Sequence, residues 1–229
     1  MTERQEHLLR KIVKSYIETG EPIGSVALSS SQKLSSATIR NEMSELETLG
    51  YLHQPHVSAG RIPTEVAYQH YIAHCMDRRE LTAKDRALLE ESALGENLDF
   101  RTRSKNMAKG LANCSVDLAI VAFSDSDVFY TGLSHLFSKK EFHEIDQVRD
   151  VSVLLDNLTG AASRVFGEID REVNIFVGNN NPFGAYYSTL LVRYENKVPG
   201  MLALLGPMRM DYNYNVTLLE YCRNKIEQF

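Results

Sequence analysis

The sequence predicts an α+β protein that begins with a winged helix-turn-helix. Three helical segments precede a short hairpin within residues 1–63, and this is the element order of a winged helix. After residue 114 the apolar pattern changes to strand-like runs mixed with helices. A second hairpin late in the chain, over residues 187–205, favours an antiparallel sheet with flanking helices.

The composition is that of a globular protein in which DNA binding must be local. Of the 229 residues, 43% are hydrophobic and 24% are charged, a balance that argues against disorder. The net charge of -5 argues against indiscriminate nucleic-acid binding, whereas a local patch can still bind DNA. Residues 1–80 carry nine Lys or Arg against ten Asp or Glu. Any DNA affinity must therefore come from a few well-placed cations and be sensitive to salt.

Cysteine usage and the N-terminus indicate the compartment. Cys75, Cys114 and Cys222 are widely spaced and form no CxxC pair, so neither a disulfide framework nor a structural zinc site is expected. The first residues are charged and lack the apolar segment of a signal peptide, and the apolar runs are too short to span a bilayer. We therefore expect a cytoplasmic protein with no cofactor and no metal.

The first two helices are predicted by apolar spacing and by breakers. Residues 3–19 place apolar side chains on one face, and Pro22 disfavours a helical Glu21. A second helix is expected over residues 25–31, with Val26, Ala27 and Leu28 facing inward, followed by a turn at residues 32–34.

The third helix is predicted to begin at Ser35 or Ser36, because either hydroxyl can accept a bond from a free backbone N–H. Gly50 supplies its end. Its apolar stripe is predicted to be Ile39, Met43, Leu46 and Leu49, with Thr38 at the margin. The opposite, polar face is then made of Ala37, Arg40, Asn41, Ser44 and Thr48.

A hairpin follows, with strands at residues 51–54 and 61–63 and a turn built on Ser58-Ala59-Gly60. In a winged helix the third helix enters the major groove, and the hairpin reaches the neighbouring backbone or minor groove.

The remaining helices and strands are predicted from the spacing of apolar residues and from the turn residues between them. Helices are predicted over residues 64–79, 82–92, 98–113, 145–158, 161–170 and 215–228, and strands over 115–123, 128–132, 173–177, 187–194 and 198–205. We place a DNA-binding domain at residues 1–80, a helical connection at 81–114 and an α+β domain at 115–229.

Four stretches carry a resemblance to a known family. They are GEPIGS (20–25), LSSATIRNEMSELETLGYL (34–52), QPHVSAGRIPTEVAYQHYI (54–72) and GPMRMDYNYN (206–215). In these stretches the chain resembles the heat-inducible transcription repressors of the HrcA type.

The resemblance implies an operator, partners and a second domain. It implies a repressor that binds, as a homodimer, an inverted-repeat operator called CIRCE upstream of chaperone operons of the groE and dnaK kind. It also implies modulation by the GroE chaperonin and a GAF-like regulatory domain with an inserted dimerisation segment. This chain departs from the family after residue 123, where only Ser124-Asp125-Ser126-Asp127 and a few strand residues precede residues 131–137. The middle of its regulatory domain is abbreviated.

The candidate site residues lie on the third helix and the hairpin. Arg40 and Asn41 are predicted to read base edges, since Arg suits guanine and Asn suits adenine. Phosphate contacts or helix capping are expected of Ser35, Ser36, Thr38 and Ser44, and wing-tip contacts of His56, Ser58 and Arg61. The alternatives are a solvated helix face and a hairpin arginine paired with a carboxylate such as Glu65.

Other patterns point less clearly to chemistry. His70 and His74 are four residues apart on one helix, a metal-binding spacing, but Cys75 is expected to face away from His74, so no metal site is predicted. In residues 206–212, Arg209 and Asp211 are expected to bind the sheet end to the final helix. A ligand-responsive regulator of other genes, a winged-helix protein-interaction module and an enzyme remain as alternatives, although no nucleophile–base constellation supports an enzyme.

Overall fold

The computed structural model describes residues 1–32, 34–95 and 98–229 of the chain. These residues separate into an N-terminal unit, Met1–Met76, and a C-terminal unit, Asp77–Phe229. Helices occur in both units together with antiparallel strand pairs, so the predicted α+β class is confirmed. None of the described helices is both long enough and apolar enough to cross a membrane.

The N-terminal unit follows the predicted order of helices and hairpin. Its elements are α1 (Glu3–Thr19), α2 (Ser25–Gln32), α3 (Ser36–Thr48), β1 (Leu52–His53), β2 (Ile62–Pro63) and α4 (Glu65–His74). The two strands pair antiparallel, with Leu52 opposite Pro63. A capping box at Thr2 and Gln5 starts α1, and Gly20 ends it in the left-handed conformation. Lys33, in the predicted turn between α2 and α3, lies outside the described residues.

The buried face of α3 agrees with its predicted stripe at three of four positions. Ile39, Met43 and Leu46 are buried, whereas Leu49 is 51% exposed because the helix ends at Thr48 and Leu49 only caps it. In α2 the expected inward run was wrong, because Leu28 is buried while Val26 and Ala27 are exposed. A two-turn helix at the surface buries one side only.

The C-terminal unit combines helices with one antiparallel sheet. Its helices are α5 (Ala83–Ala93), α6 (Phe100–Ser115), α7 (Leu133–Phe137), α8 (Ile145–Asp156), α9 (Leu158–Phe166) and α10 (Tyr212–Ile226). Its strands are β3 (Leu118–Ala122), β4 (Val128–Thr131), β5 (Asn174–Val177), β6 (Tyr187–Tyr194) and β7 (Gly200–Pro207). The strand order within the described sheet is β4-β3-β7-β6-β5, and every neighbour is antiparallel.

The sheet is covered on two sides. Leu118, Ile120 and Ala122 of β3 belong to a core cluster with Val151 of α8 and Ala162 of α9. Helices α6 and α10 also pack on the sheet, α6 against β3 and α10 against β6. Because β3, β6 and β7 are buried on both faces, their sequences read as continuous apolar runs rather than alternating ones.

Several predicted boundaries in the chain were wrong, and one short helix was missed. α4 ends at His74 and not near residue 79, and the predicted strand at 115–123 loses its start because α6 continues to Ser115. The short helix α7 was not predicted, because a five-residue helix leaves too few apolar repeats to detect.

Arg209 pairs with Glu141, outside the final helix, while Asp211 caps α10 by accepting the N–H of Tyr214 at 3.2 Å.

A polar cluster around a buried carboxylate joins the residue before β3 to α10 and to the segment after α7. The carboxylate of Asp117, only 1% exposed, pairs with the amine of Lys139 and accepts a hydrogen bond from Asn215 Nδ2 at 3.0 Å. Burial raises the pKa of Asp117, while the charge and hydrogen bond of Lys139 oppose the rise. The cluster therefore holds a carboxylate in the interior by supplying it with partners.

Candidate nucleic-acid interface

The outer face of α3 is exposed and polar, as its spacing predicted. Ala37, Arg40, Asn41, Ser44 and Thr48 are all exposed, and Thr38 is half-buried. At the start of the helix, Ser35 Oγ accepts the N–H of Thr38 at 3.1 Å and lies 2.9 Å from its Oγ1. The Ser35 hydroxyl therefore caps the helix, and the Thr38 hydroxyl bonds to it. Among the described residues, none forms a hydrogen bond or ion pair with the side chain of Arg40 or Asn41.

The three carboxylates of α3 are occupied by partners inside the N-terminal unit. Glu42 pairs with Arg4 of α1, and Glu45 accepts a hydrogen bond from Gln5 Nε2 at 2.5 Å. Glu47 contacts the hairpin. The negative charge of the helix is thus held on its inner and lateral sides, and the guanidinium of Arg40 stands on the outer face without a neighbouring partner among the described residues.

The hairpin loop is held in shape by Gln54. Its Nε2 donates to the carbonyl oxygens of Val57 at 2.9 Å and Ala59 at 3.0 Å, and Ala59 N–H donates to His56 O at 2.9 Å. His56, Val57 and Ser58 are exposed, with Val57 almost fully so. The tip of the hairpin is therefore formed by these three residues.

Arg61 lies at the base of the hairpin and not at its tip. Its side chain is 13% exposed, and its Nε lies 2.8 Å from Glu47 Oε2, close enough for an ion pair although no aligned hydrogen bond forms. Arg61 therefore has a carboxylate partner, as the alternative interpretation of the sequence expected, but the partner is Glu47 and not Glu65. An arginine buried in this way positions the hairpin, and contact with DNA would require it to leave Glu47.

Glu47 joins α3 to both ends of the hairpin loop, at the residues that follow β1 and precede β2. Its Oε1 accepts the backbone N–H of Gln54 at 3.0 Å, and its Oε2 faces Arg61. No sequence signal identified Glu47, because its two partners follow at different distances along the chain and meet it only in the folded unit.

The hairpin also docks on the segment between α1 and α2. Ile23 N–H donates to Arg61 O, and Arg61 N–H donates to Ile23 O, both at 2.9 Å. A Cβ added at Gly60 would lie 2.5–2.7 Å from backbone atoms of Pro22 and Ile23. Glycine is therefore required here by close approach of two backbones.

A cleft of about 450 Å³ lies between the outer face of α3, the start of α2 and the hairpin loop. Its lining brings together four of the predicted site residues, Arg40, Ser44, Ser58 and Arg61. The other predicted residues lie outside its lining: Ser35 and Ser36 at the start of α3, Thr38 and Asn41 on that helix, and His56 at the hairpin tip. The hydroxyls of Ser44 and Ser58 and the exposed guanidinium of Arg40 around this groove suit the oxygens of a phosphate backbone, whereas Arg61 is held by Glu47.

Loss of Glu47 should loosen the hairpin. We expect Glu47→Ala to lower the free energy of unfolding of the N-terminal unit by about 1–2 kcal/mol, because Arg61 is left poorly solvated without its carboxylate while partial exposure of Glu47 limits the cost. Urea denaturation followed by circular dichroism measures the change. Glu18→Ala, at an exposed position near the end of α1, is the matched control and should leave stability unchanged. Equal stability of the two variants would contradict the role given to Glu47.

The sequence matches the family model "HrcA protein C terminal domain" over residues 64–216. Among curated relatives, the heat-inducible transcription repressor HrcA of Syntrophobacter fumaroxidans is 32% identical over 175 residues, which are 76% of this chain and 48% of that protein. The chain thus spans about half the length of such relatives.

A longer alignment and one solved structure cover nearly the whole chain. The HrcA repressor of Lachnoclostridium phytofermentans is 24% identical over 327 residues, 96% of this chain and 95% of that protein. That alignment is about a hundred positions longer than this chain, so the relative carries residues that this chain lacks. A crystal structure of a hypothetical protein, solved at 2.2 Å resolution, superposes with a TM-score of 0.80 at 18% identity and covers 100% of this chain and 98% of its own. It supports the fold.

Proposed function

Because this chain belongs to the HrcA family of heat-inducible transcription repressors, we propose that it is a DNA-binding repressor that acts by occupying an operator. Residues 1–80 form the DNA-binding domain, a winged helix-turn-helix. Residues 81–114 connect it to residues 115–229, a GAF-like domain for regulation and dimerisation. The protein performs no chemistry on its ligand, and it works in the cytoplasm, where its operator is.

One observation carries the proposal. Arg40 and Asn41 lie exposed and without a described partner on α3, beside a hairpin that Glu47 and Gln54 hold in place. An α-helix fits the major groove, where an arginine can bond guanine O6 and N7 and an asparagine can bond adenine N6 and N7. The hairpin supplies His56 and Ser58 to the neighbouring backbone. Ser36, Thr38 and Ser44 are assigned to phosphates.

Membership of the family extends the proposal to the operator and to the partners of the protein. We assign an inverted repeat of the CIRCE type upstream of chaperone operons of the groE and dnaK kind, bound by a homodimer. Two copies of α3 would then meet major-groove faces about 34 Å apart, or a multiple of that distance. The GroE chaperonin modulates the repressor in this proposal, which links repression to the load of unfolded protein.

Binding to a labelled inverted-repeat duplex tests the proposal. Fluorescence anisotropy should show tighter binding to the repeat than to a scrambled duplex of the same composition, and the affinity should fall as salt rises. Sedimentation of the complex reports whether two chains bind one repeat. Equal affinity for both duplexes, or binding to neither, would overturn the proposal. Addition of the chaperonin to the same titration tests the modulation separately.

Arg40→Ala should weaken binding to the repeat by roughly 1–3 kcal/mol and narrow the gap between repeat and scrambled duplex, since a base contact is lost. The same anisotropy titration measures both effects. Arg149→Ala, which removes an exposed arginine from α8, is the matched control and should bind like the parent. If the Arg40 variant kept the affinity and preference of the parent, α3 would not be the reading helix.

A further inference from the structure

Three side chains of different chemistry meet between α1 and the end of α4, away from the proposed DNA-binding face of α3. They are the carboxylate of Glu6, the imidazole of His70 and the thiol of Cys75. One ligand atom from each lies within 4.8 Å of the others, and His70 Nε2 is 3.4 Å from Glu6 Oε1. All three belong to the N-terminal unit.

The backbone explains why the sequence did not predict this cluster. Helix α4 ends at His74, and Cys75 follows with φ -120° and ψ -3°, outside the helical path. Helical spacing would place the thiol away from His74, but Cys75 is the last residue to bond into the helix and its own backbone angles depart from helical values. Its Sγ therefore joins His70 and Glu6.

His70 has a nitrogen that the protein leaves without an aligned partner. Its Nε2 is buried and forms no hydrogen bond in the described part of the chain, since the carboxylate of Glu6 is close but misaligned. A buried imidazole nitrogen without a partner is costly. Cys75 beside it is 6% exposed, so the imidazole nitrogen and the thiol are both largely shielded, while the Glu6 carboxylate is 44% exposed.

We propose that Glu6, His70 and Cys75 bind one Zn²⁺ ion. Nitrogen, thiolate and carboxylate oxygen are all zinc ligands, and nitrogen and oxygen atoms on a tetrahedral zinc at about 2.0–2.2 Å lie roughly 3.4 Å apart. The distance between His70 Nε2 and Glu6 Oε1 already has this value. The Sγ atom of Cys75 lies within 4.8 Å of both of these atoms. The thiol proton passes to solvent as the sulfur–zinc bond forms, and the carboxylate and thiolate together balance the charge of the ion.

Two of the three ligands, Glu6 and Cys75, line a cleft of about 480 Å³ that His7 and His74 also line. The ring of His74 lies 4.6 Å from that of His70, centroid to centroid. Either imidazole, or a water molecule, can complete the tetrahedron. Burial and the charge of Glu6 raise the pKa of the Cys75 thiol, and the charges of Arg10 and Lys14 oppose this rise. Because the ligands come from α1 and from the end of α4, the ion would fasten these two helices together.

Cobalt titration of the full chain tests the site. After treatment with a chelator and gel filtration, Co²⁺ should bind with one-to-one stoichiometry and give a thiolate-to-cobalt charge-transfer band, and Zn²⁺ should abolish that band. Cys75→Ser should lose the band completely. Cys114→Ser is the matched control, because Cys114 is half-buried in the C-terminal unit, and it should keep the band.

Glu6→Gln covers the case in which the Cys75 variant fails to fold, since the Glu6 side chain is 44% exposed. It should keep its helical circular dichroism and bind Zn²⁺ roughly tenfold or more weaker, because loss of a mere outer-sphere partner already costs tenfold to a hundredfold. No band in the parent, a band retained by Cys75→Ser, or an unchanged affinity of Glu6→Gln would each overturn the proposal. None of these measurements involves DNA.

Discussion

Asp117→Ala is expected to lower the free energy of unfolding of the C-terminal unit by about 3–5 kcal/mol, since it removes one partner of a buried ion pair. Lys139, with a side chain 15% exposed, would keep its charge without the carboxylate, and Asn215 would lose its acceptor. A cavity would also remain beside Gly206, whose backbone is packed against the Asp117 side chain. Urea denaturation monitored by circular dichroism measures the loss.

Two variants separate the charge of Asp117 from the volume of its side chain. Asp117→Asn keeps an acceptor for Lys139 and should cost less than alanine. Since burial raises the pKa of Asp117, the folded chain holds a proton that the unfolded chain releases, and this group makes stability fall as pH rises from its ordinary pKa towards the raised one. The asparagine variant should lack that part of the pH dependence. Asp125→Ala, at an exposed loop position, should match the parent, and a comparable loss there would contradict the account.

Gly60→Ala is expected to detach the hairpin from the segment between α1 and α2. The added methyl group would meet the backbone of Pro22 and Ile23 at 2.5–2.7 Å, and no side chain can move aside to admit it. We expect a loss of roughly 1–3 kcal/mol in the stability of the N-terminal unit, in the range of overpacked sites. Binding to the inverted repeat should fall further than for Arg40→Ala, because the whole hairpin is displaced.

Gly24→Ala provides a matched control within the same neighbourhood. A Cβ at Gly24 meets nothing within 4 Å, and neither glycine has a left-handed backbone, so the two substitutions differ in steric contact. Thermal unfolding and the anisotropy titration should show a large effect for Gly60→Ala and almost none for Gly24→Ala. If the two variants showed the same thermal unfolding and the same DNA affinity, the close approach at Gly60 would not hold the hairpin in place.

Periodicity predicted the features that depend on neighbours along the chain. Ser35 caps α3, its apolar stripe is buried at Ile39, Met43 and Leu46, and its polar face is exposed, because all of these follow from 3.6 residues per turn and local hydrogen bonding. The strands of the C-terminal unit were also predictable, since β-branched and apolar runs bounded by turn residues mark buried strands. Leu49 was wrongly predicted to be buried, because periodicity does not reveal at which residue a helix ends.

The contacts that position the site could not be predicted in the same way. The pairing of Arg61 with Glu47, and the docking of Ile23 on the hairpin, depend on segments that meet only after folding. Arg61 was therefore assigned to the hairpin tip from its place after a glycine turn, whereas the exposed tip is formed by His56, Val57 and Ser58. Gly60 was identified as a turn residue, but its close approach to Ile23 has no sequence signature.

The two contacts of Glu47 have a thermodynamic consequence for association. Since one carboxylate holds the backbone of Gln54 and the guanidinium of Arg61, the hairpin and α3 are ordered relative to each other before any ligand arrives. The loop loses its conformational entropy during folding, so this loss does not reduce the free energy of association. In variants that free the hairpin, the loop should become ordered only when DNA binds. Their binding entropy should therefore be less favourable than that of the parent, while their binding enthalpy should be more favourable than their affinity alone suggests. Calorimetry measures the two quantities separately.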